Sequence, residues 1–145
     1  LDPDADCDVF LVQLSTNDAK PEAGLELGKI SESTDPADFD DTTIIGAMET
    51  IIAYTRDTWG CPVVFYTGTR YDNAIYEQMV NALYQLRDKW GIGIVDLWGN
   101  QEMTDMIGTD QYDAYMADET HPTELGYREW WTPEFEKVLP EYLTD

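Results

Sequence analysis

The stretch that decides the fold is VFLVQL, residues 9–14, five apolar side chains and one glutamine between a run of acids and the turn-forming STND. A strand with one solvated face alternates apolar and polar residues. A nearly continuous apolar run fits a parallel strand covered on both faces, which needs helices to cover it. The downstream chain supplies them. From Asp41 to Thr58, Ile44, Ile45, Met48, Ile51, Ile52 and Thr55 recur at helical spacing, and Gly60 stops the run. PVVFYT (62–67) reads as a second strand. Asn73 to Trp90 reads as a second helix, carrying Ile75, Met79, Leu83, Leu86 and Trp90 on one face and ending at Gly91. IGIVDLW (92–98) is a third strand.

The loop from Ser15 to Asp40 is polar and contains Gly and Pro. The segment 99–120 shows no regular periodicity. A last helix is expected from just after His121 toward Leu143, with a break at Pro133. Strands alternating with helices imply a parallel sheet with helices on both faces. In such sheets the chemistry sits at the carboxyl ends of the strands. That rule selects STND after the first strand, GTR after the second and WGN after the third.

A chain of 145 residues is one domain's worth of core, and 43% hydrophobic residues argue for a folded globule. No internal repeat or second domain is visible. No apolar run approaches the roughly 18 residues of a membrane span. Eight Lys and Arg against 30 Asp and Glu give a net charge of −22, which repels phosphate backbones and argues against nucleic-acid binding. Such acidity suits an extracellular or salt-rich setting.

Several patterns can be set aside. Neither G-x-G-x-x-G nor a P-loop occurs, so no nucleotide cofactor is expected. Asp2, Asp4, Asp6 and Asp8 alternate as in a calcium loop, but Cys7 and Gln13 stand where an EF-hand needs Gly and Glu. One histidine and two cysteines give no zinc set. Cys7 and Cys61 each precede a strand, which leaves open a bridge or two buried thiols. Trp130 and Trp131 fit either a core or a sugar-stacking surface. Arg70 is a rare cation at a strand's carboxyl end, suited to an anionic or hydroxyl-rich substrate or to a surface ion pair.

The only histidine, His121, lies in MADETHPTELGYREWW, residues 116–131. The residue before a proline is pushed out of helical conformation, so the imidazole hangs on an extended entry to the last helix. Thr123 can cap that helix, and Pro122 lacks only an N–H that a helix start leaves unused. Asp118 is close enough to accept the Nδ1 proton, which would leave Nε2 free as a base. Alone, this pair fits a turn-capping surface loop equally well. Asn17, just past the first strand, could either cap a turn or donate its amide to a developing oxyanion. The two together, in this order along an alternating α/β chain, favour chemistry.

At these residues the chain resembles the SGNH/GDSL hydrolases. STND is similar to the block of that family written G-x-N-D, and DETHPTELGY to the block written D-x-x-H-P. The resemblance implies a three-layer α/β/α, flavodoxin-like fold and a serine ester hydrolase acting on a small-molecule or carbohydrate ester. It implies Asn17 as oxyanion donor, His121 as general base and Asp118 as its orienting carboxylate. Arg70 and Ser15 become candidate substrate-binding residues, and no metal or other cofactor is expected. Ser15 stands where the family has Gly.

The family's nucleophilic serine lies in a G-D-S block upstream of the asparagine, and Ser15, Ser31 and Ser33 have no such setting. The chain therefore reads as a domain incomplete at its amino-terminal end, lacking its first strands. The alternative is a non-catalytic binding module that kept the fold and lost the serine. In the doubly wound order, residues 9–14 would need a neighbour from an upstream segment or from a second chain. The loop from Ala19 to Asp40 is expected to border the cleft and limit access to it.

Overall fold

The structure, a computed structural model, describes residues 1–143. Three strands form one parallel sheet in the order β1-β2-β3: β1 Phe10–Gln13, β2 Val63–Tyr66 and β3 Gly93–Val95. Phe10 lies opposite Val63 and Gln13 opposite Tyr66, while Val64 pairs with Gly93 and Tyr66 with Val95. Successive side chains of the central strand point to opposite faces. Val63 and Phe65 enter one apolar cluster, and Val64 enters another.

The first cluster is closed by α1 (Ile44–Trp59) and α2 (Ala74–Trp90). The second is closed by α3 (Gln101–Asp105), α4 (Asp110–Tyr115) and α6 (Thr132–Val138), with Trp130 and Trp131, which follow the short α5 (Glu124–Gly126), buried in it. The chain is thus an α/β protein with helices on both faces of a parallel sheet.

The two long helices begin and end as their sequences direct. Thr43 Oγ1 accepts the Gly46 N–H at 3.2 Å, and Asn73 Oδ1 accepts the Tyr76 N–H at 2.8 Å. Such caps are worth about 1 kcal/mol each. Gly60 and Gly91 close the helices at φ 66° and 63°, a left-handed conformation that favours glycine.

The strands are shorter than their apolar runs. β3 stops at Val95 because Asp96 Oδ1 accepts the Gly99 N–H at 2.8 Å and Thr67 Oγ1 accepts the Trp98 N–H at 2.9 Å. These bonds curl the backbone over the end of β2. The stretch 99–120 contains two short helices, capped by Asn100 and Thr109. The last helix does not break at Pro133. The Thr132 N–H donates to the Tyr127 carbonyl, five residues back, so Tyr127–Trp131 form a π turn. That turn shifts the ladder and leaves Pro133 in the first turn of α6, where its missing N–H is no loss.

The long loop before α1 starts at the sheet's carboxyl end, where Asn73 Nδ2 donates to the Ala19 carbonyl at 3.3 Å, and then runs along α1 and α2. The Glu26 and Leu27 carbonyls accept the first amides of α1, from Ile44 and Ile45, at 3.0 and 2.9 Å. Further on, Lys89 Nζ donates to the Ser31 and Ser33 carbonyls at 2.7 and 2.6 Å and pairs with the Glu49 carboxylate. Glu49, 0% exposed, also accepts the Ser31 N–H and the Trp90 indole N–H. Lys89 sits in the last turn of α2, a helix antiparallel to the strands, so this cage lies at the amino-terminal end of the sheet.

β1 is the outer strand, with β2 on one side and Leu11 41% exposed. The neighbour expected on its other side is not among the described residues. Cys7 and Cys61 are free thiols, and burial, with the Cys7 thiol beside it, pushes the Cys61 thiol up to about 11. Among the described residues no helix is long and apolar enough to cross a membrane.

Candidate functional site

The three loops that leave the carboxyl ends of the strands are tied together by buried polar contacts. The Tyr76 hydroxyl, itself fully buried, donates to the Leu14 carbonyl at 3.0 Å and accepts the Gly68 N–H at 2.9 Å. It therefore joins the exit of β1 to the exit of β2. A Cβ at Gly68 would lie 3.8 Å from the Thr16 methyl, so STND and GTR are neighbours. Thr69 Oγ1 lies 3.9 Å from Met116 Sδ, and Met116 pairs with Pro122 in an isolated antiparallel bridge. This last link brings the histidine turn to the same end of the sheet.

The turn itself is held from both flanks. The Ala117 N–H donates to the His121 carbonyl, and the Thr123 N–H donates to the Tyr115 carbonyl, both at 2.8 Å. Thr123 caps the start of α5 by accepting the Gly126 N–H at 3.1 Å, while its own hydroxyl donates to the Ala114 carbonyl at 2.8 Å. Gly126 is required by space: a Cβ there would lie 1.9 Å from the Tyr115 carbonyl oxygen. The helix after His121 thus packs backbone against backbone on the end of α4.

Within the turn, Asp118 Oδ1 accepts the N–H groups of Thr120 and His121, both at 2.8 Å, and the Thr120 hydroxyl at 3.1 Å. Its Oδ2 lies 2.8 Å from His121 Nδ1. The Thr120 amide, then the imidazole and the His121 amide, hold the Asp118 carboxyl well below the usual carboxylate range. An ionised carboxylate only accepts, so in the neutral imidazole the proton sits on Nδ1 and Nε2 carries the lone pair. Both side chains are open to solvent, 69% for His121 and 55% for Asp118.

STND forms a turn in which Ser15 Oγ accepts the Asp18 N–H at 3.3 Å and the Asn17 carbonyl accepts the Lys20 N–H at 3.2 Å. The Ser15 hydroxyl oxygen thus helps to shape the loop. The Asn17 side chain is exposed and forms no hydrogen bond among the described residues. Asn17 shares the sheet end with His121 but does not touch it through a hydrogen bond.

Beside the histidine turn opens a cleft of about 520 Å³, lined by Arg70, Tyr71, Trp98, Tyr112 and Glu119 among others. Arg70 forms no ion pair among the described residues; its guanidinium lies 5.3 Å from the centre of the Trp98 ring. Tyr71 meets the same indole edge-on at 5.8 Å, and its buried hydroxyl has no hydrogen-bond partner among the described residues. Burial and the Glu119 carboxylate push the Tyr71 hydroxyl up to about 12. Arg70 was legible from its place after β2. Tyr71, Trp98, Tyr112 and Glu119 were not singled out, although GTR and WGN point to the first two. No residue of the loop 19–40 lines this cleft.

Comparison of the chain with protein-family models, with curated proteins and with solved structures finds no match.

Proposed function

We propose that this chain carries the acid–base machinery of a serine ester hydrolase of the SGNH/GDSL type. In this reading His121 is the general base, Asp118 the positioning carboxylate and Asn17 the side-chain donor to the oxyanion. The observation that carries it is the 2.8 Å contact between Asp118 and His121 Nδ1, at the end of a parallel sheet where ligands bind. A serine hydroxyl attacks the ester carbonyl while Nε2 takes its proton. The Asn17 amide donates to the oxyanion, and the imidazolium returns the proton to the departing alcohol. Water, deprotonated by the same Nε2, then releases the acid.

The reading needs a serine that this chain does not contribute. The backbones of Ser31 and Ser33 are held by Lys89, and Ser15 forms no hydrogen bond to His121 among the described residues. The nucleophile is therefore taken from residues other than these 145. A binding module without a nucleophile is the second reading, favoured by an Nε2 that has no hydrogen-bond partner among the described residues.

Hydrolysis of p-nitrophenyl acetate decides between them, measured on the longest product of the gene and on this chain. Expected is turnover by the longer product, reduced by about 10²- to 10⁴-fold in His121→Ala, and none by the chain alone. An inert longer product, or one indifferent to His121→Ala, sinks the hydrolase reading.

A further inference from the structure

Resting on the hydrolase reading, we propose that the Arg70–Trp98 cleft holds the alcohol portion of the ester and selects a neutral, hydroxyl-rich group such as a sugar ring. An anionic group is selected against. Glu119 lines the cleft two residues before His121, so whatever fills the cleft lies against the histidine turn. A cleft of about 520 Å³ suits a small ligand rather than a polymer surface.

The charges at its wall decide the sign. Asp72, Glu77 and Glu119 line it against a single guanidinium, that of Arg70. On a chain of net charge −22, these three carboxylates repel a ligand carboxylate or phosphate more than one arginine attracts it. The Arg70 guanidinium lies over Trp98, and its N–H edges remain donors for neutral oxygens. The Tyr71 hydroxyl is closed to solvent and has no partner among the described residues, so it gains one when a ligand hydroxyl displaces the groups over it. Carboxylates accept from ligand hydroxyls, and the rings of Tyr71 and Tyr112 with exposed Ile107 cover C–H faces. A long acyl chain would leave these acceptors buried and unpaired.

Backbone-amide NMR titrations of this chain with methyl β-glucopyranoside and with methyl β-glucuronopyranoside test the assignment without requiring catalysis. The neutral glycoside should shift the amides of Arg70, Tyr71 and Glu119, and the anionic one should bind about tenfold more weakly, the size of one unfavourable charge contact. Tyr71→Phe keeps the ring and should weaken neutral binding about fivefold, the worth of one hydrogen bond. Glu119→Gln should narrow the gap between the two glycosides. Equal or tighter binding of the glucuronoside, or shifts confined to other surfaces, overturns the proposal. Glycoside binding without ester hydrolysis by the longer gene product would reject the hydrolase reading and keep the cleft. Ester hydrolysis without glycoside binding would do the reverse.

Discussion

Asp118 uses one carboxylate for two jobs, closing a turn through backbone amides and fixing the imidazole of His121. Its lowered pKa sets a pH window. A carboxyl whose folded pKa is depressed stabilises the fold above its unfolded value of about 3.9 and loses that contribution as pH falls through the folded value. Acidification from pH 7 to about 4 should therefore leave the turn intact, and loss should begin only below. The Asp118 carboxyl carbon, followed by NMR, should titrate well below the exposed aspartates; a midpoint among theirs would refute the window. Asn17 plays its proposed part only during turnover. Asn17→Ala in an active longer product should lower turnover on the order of a hundredfold, the usual size for one oxyanion donor, and unchanged turnover would remove it from the mechanism. Asp118 and His121 were legible because both partners lie within four consecutive residues. Tyr71, Trp98 and Glu119 meet only in space, across loops that no spacing rule connects.

The elements divide in the same way. α1 and α2 could be read because their periodicity is long and their stops are glycines, and the three strands because each lies in a nearly continuous apolar run. α3 and α4 could not, since five or six residues are too short to show a period, although Asn100 and Thr109 were available as cap signals. The π turn at Tyr127–Trp131 left no mark that propensity can see. Two elements carry predictions of opposite kind. Gly126→Ala drives a methyl into the Tyr115 carbonyl, so α5 must lift from α4 and carry the His121 turn with it. The expected loss is about 1–3 kcal/mol with a changed Asp118–His121 contact, read by denaturation and by the His121 ring signals. Unchanged stability would show that the close approach is not required. The long loop behaves otherwise, because its middle, Ser31 to Ser33, is pinned by Lys89 and not by the cleft. Lys89→Ala strands a fully buried Glu49 and should cost about 3–5 kcal/mol in chemical denaturation. Glycoside binding in the cleft should be unaltered, and a shift in selectivity would return the loop to the site.

At the scale of the whole molecule two properties oppose each other. β1 offers a free edge of N–H and C=O groups with no lysine or proline to blunt it, and Leu11 opens onto a shallow apolar hollow of about 190 Å³ with Tyr66, Tyr127 and Phe135. Such an edge recruits another strand. A net charge of −22 works against this by holding identical chains apart. The two differ in their response to salt: the screening length falls from about 30 Å at 0.01 M to about 3 Å at 1 M, whereas apolar burial and strand pairing persist. This chain should therefore sediment as a monomer at low ionic strength and associate at high ionic strength. The mutation Leu11→Lys, which places a charge at the edge, should abolish the high-salt association while leaving the fold's circular dichroism unchanged. A wild-type chain that stays monomeric at 1 M salt would mean that four strand residues are too short an edge to recruit a partner. The acidity would then have no part in keeping that edge free.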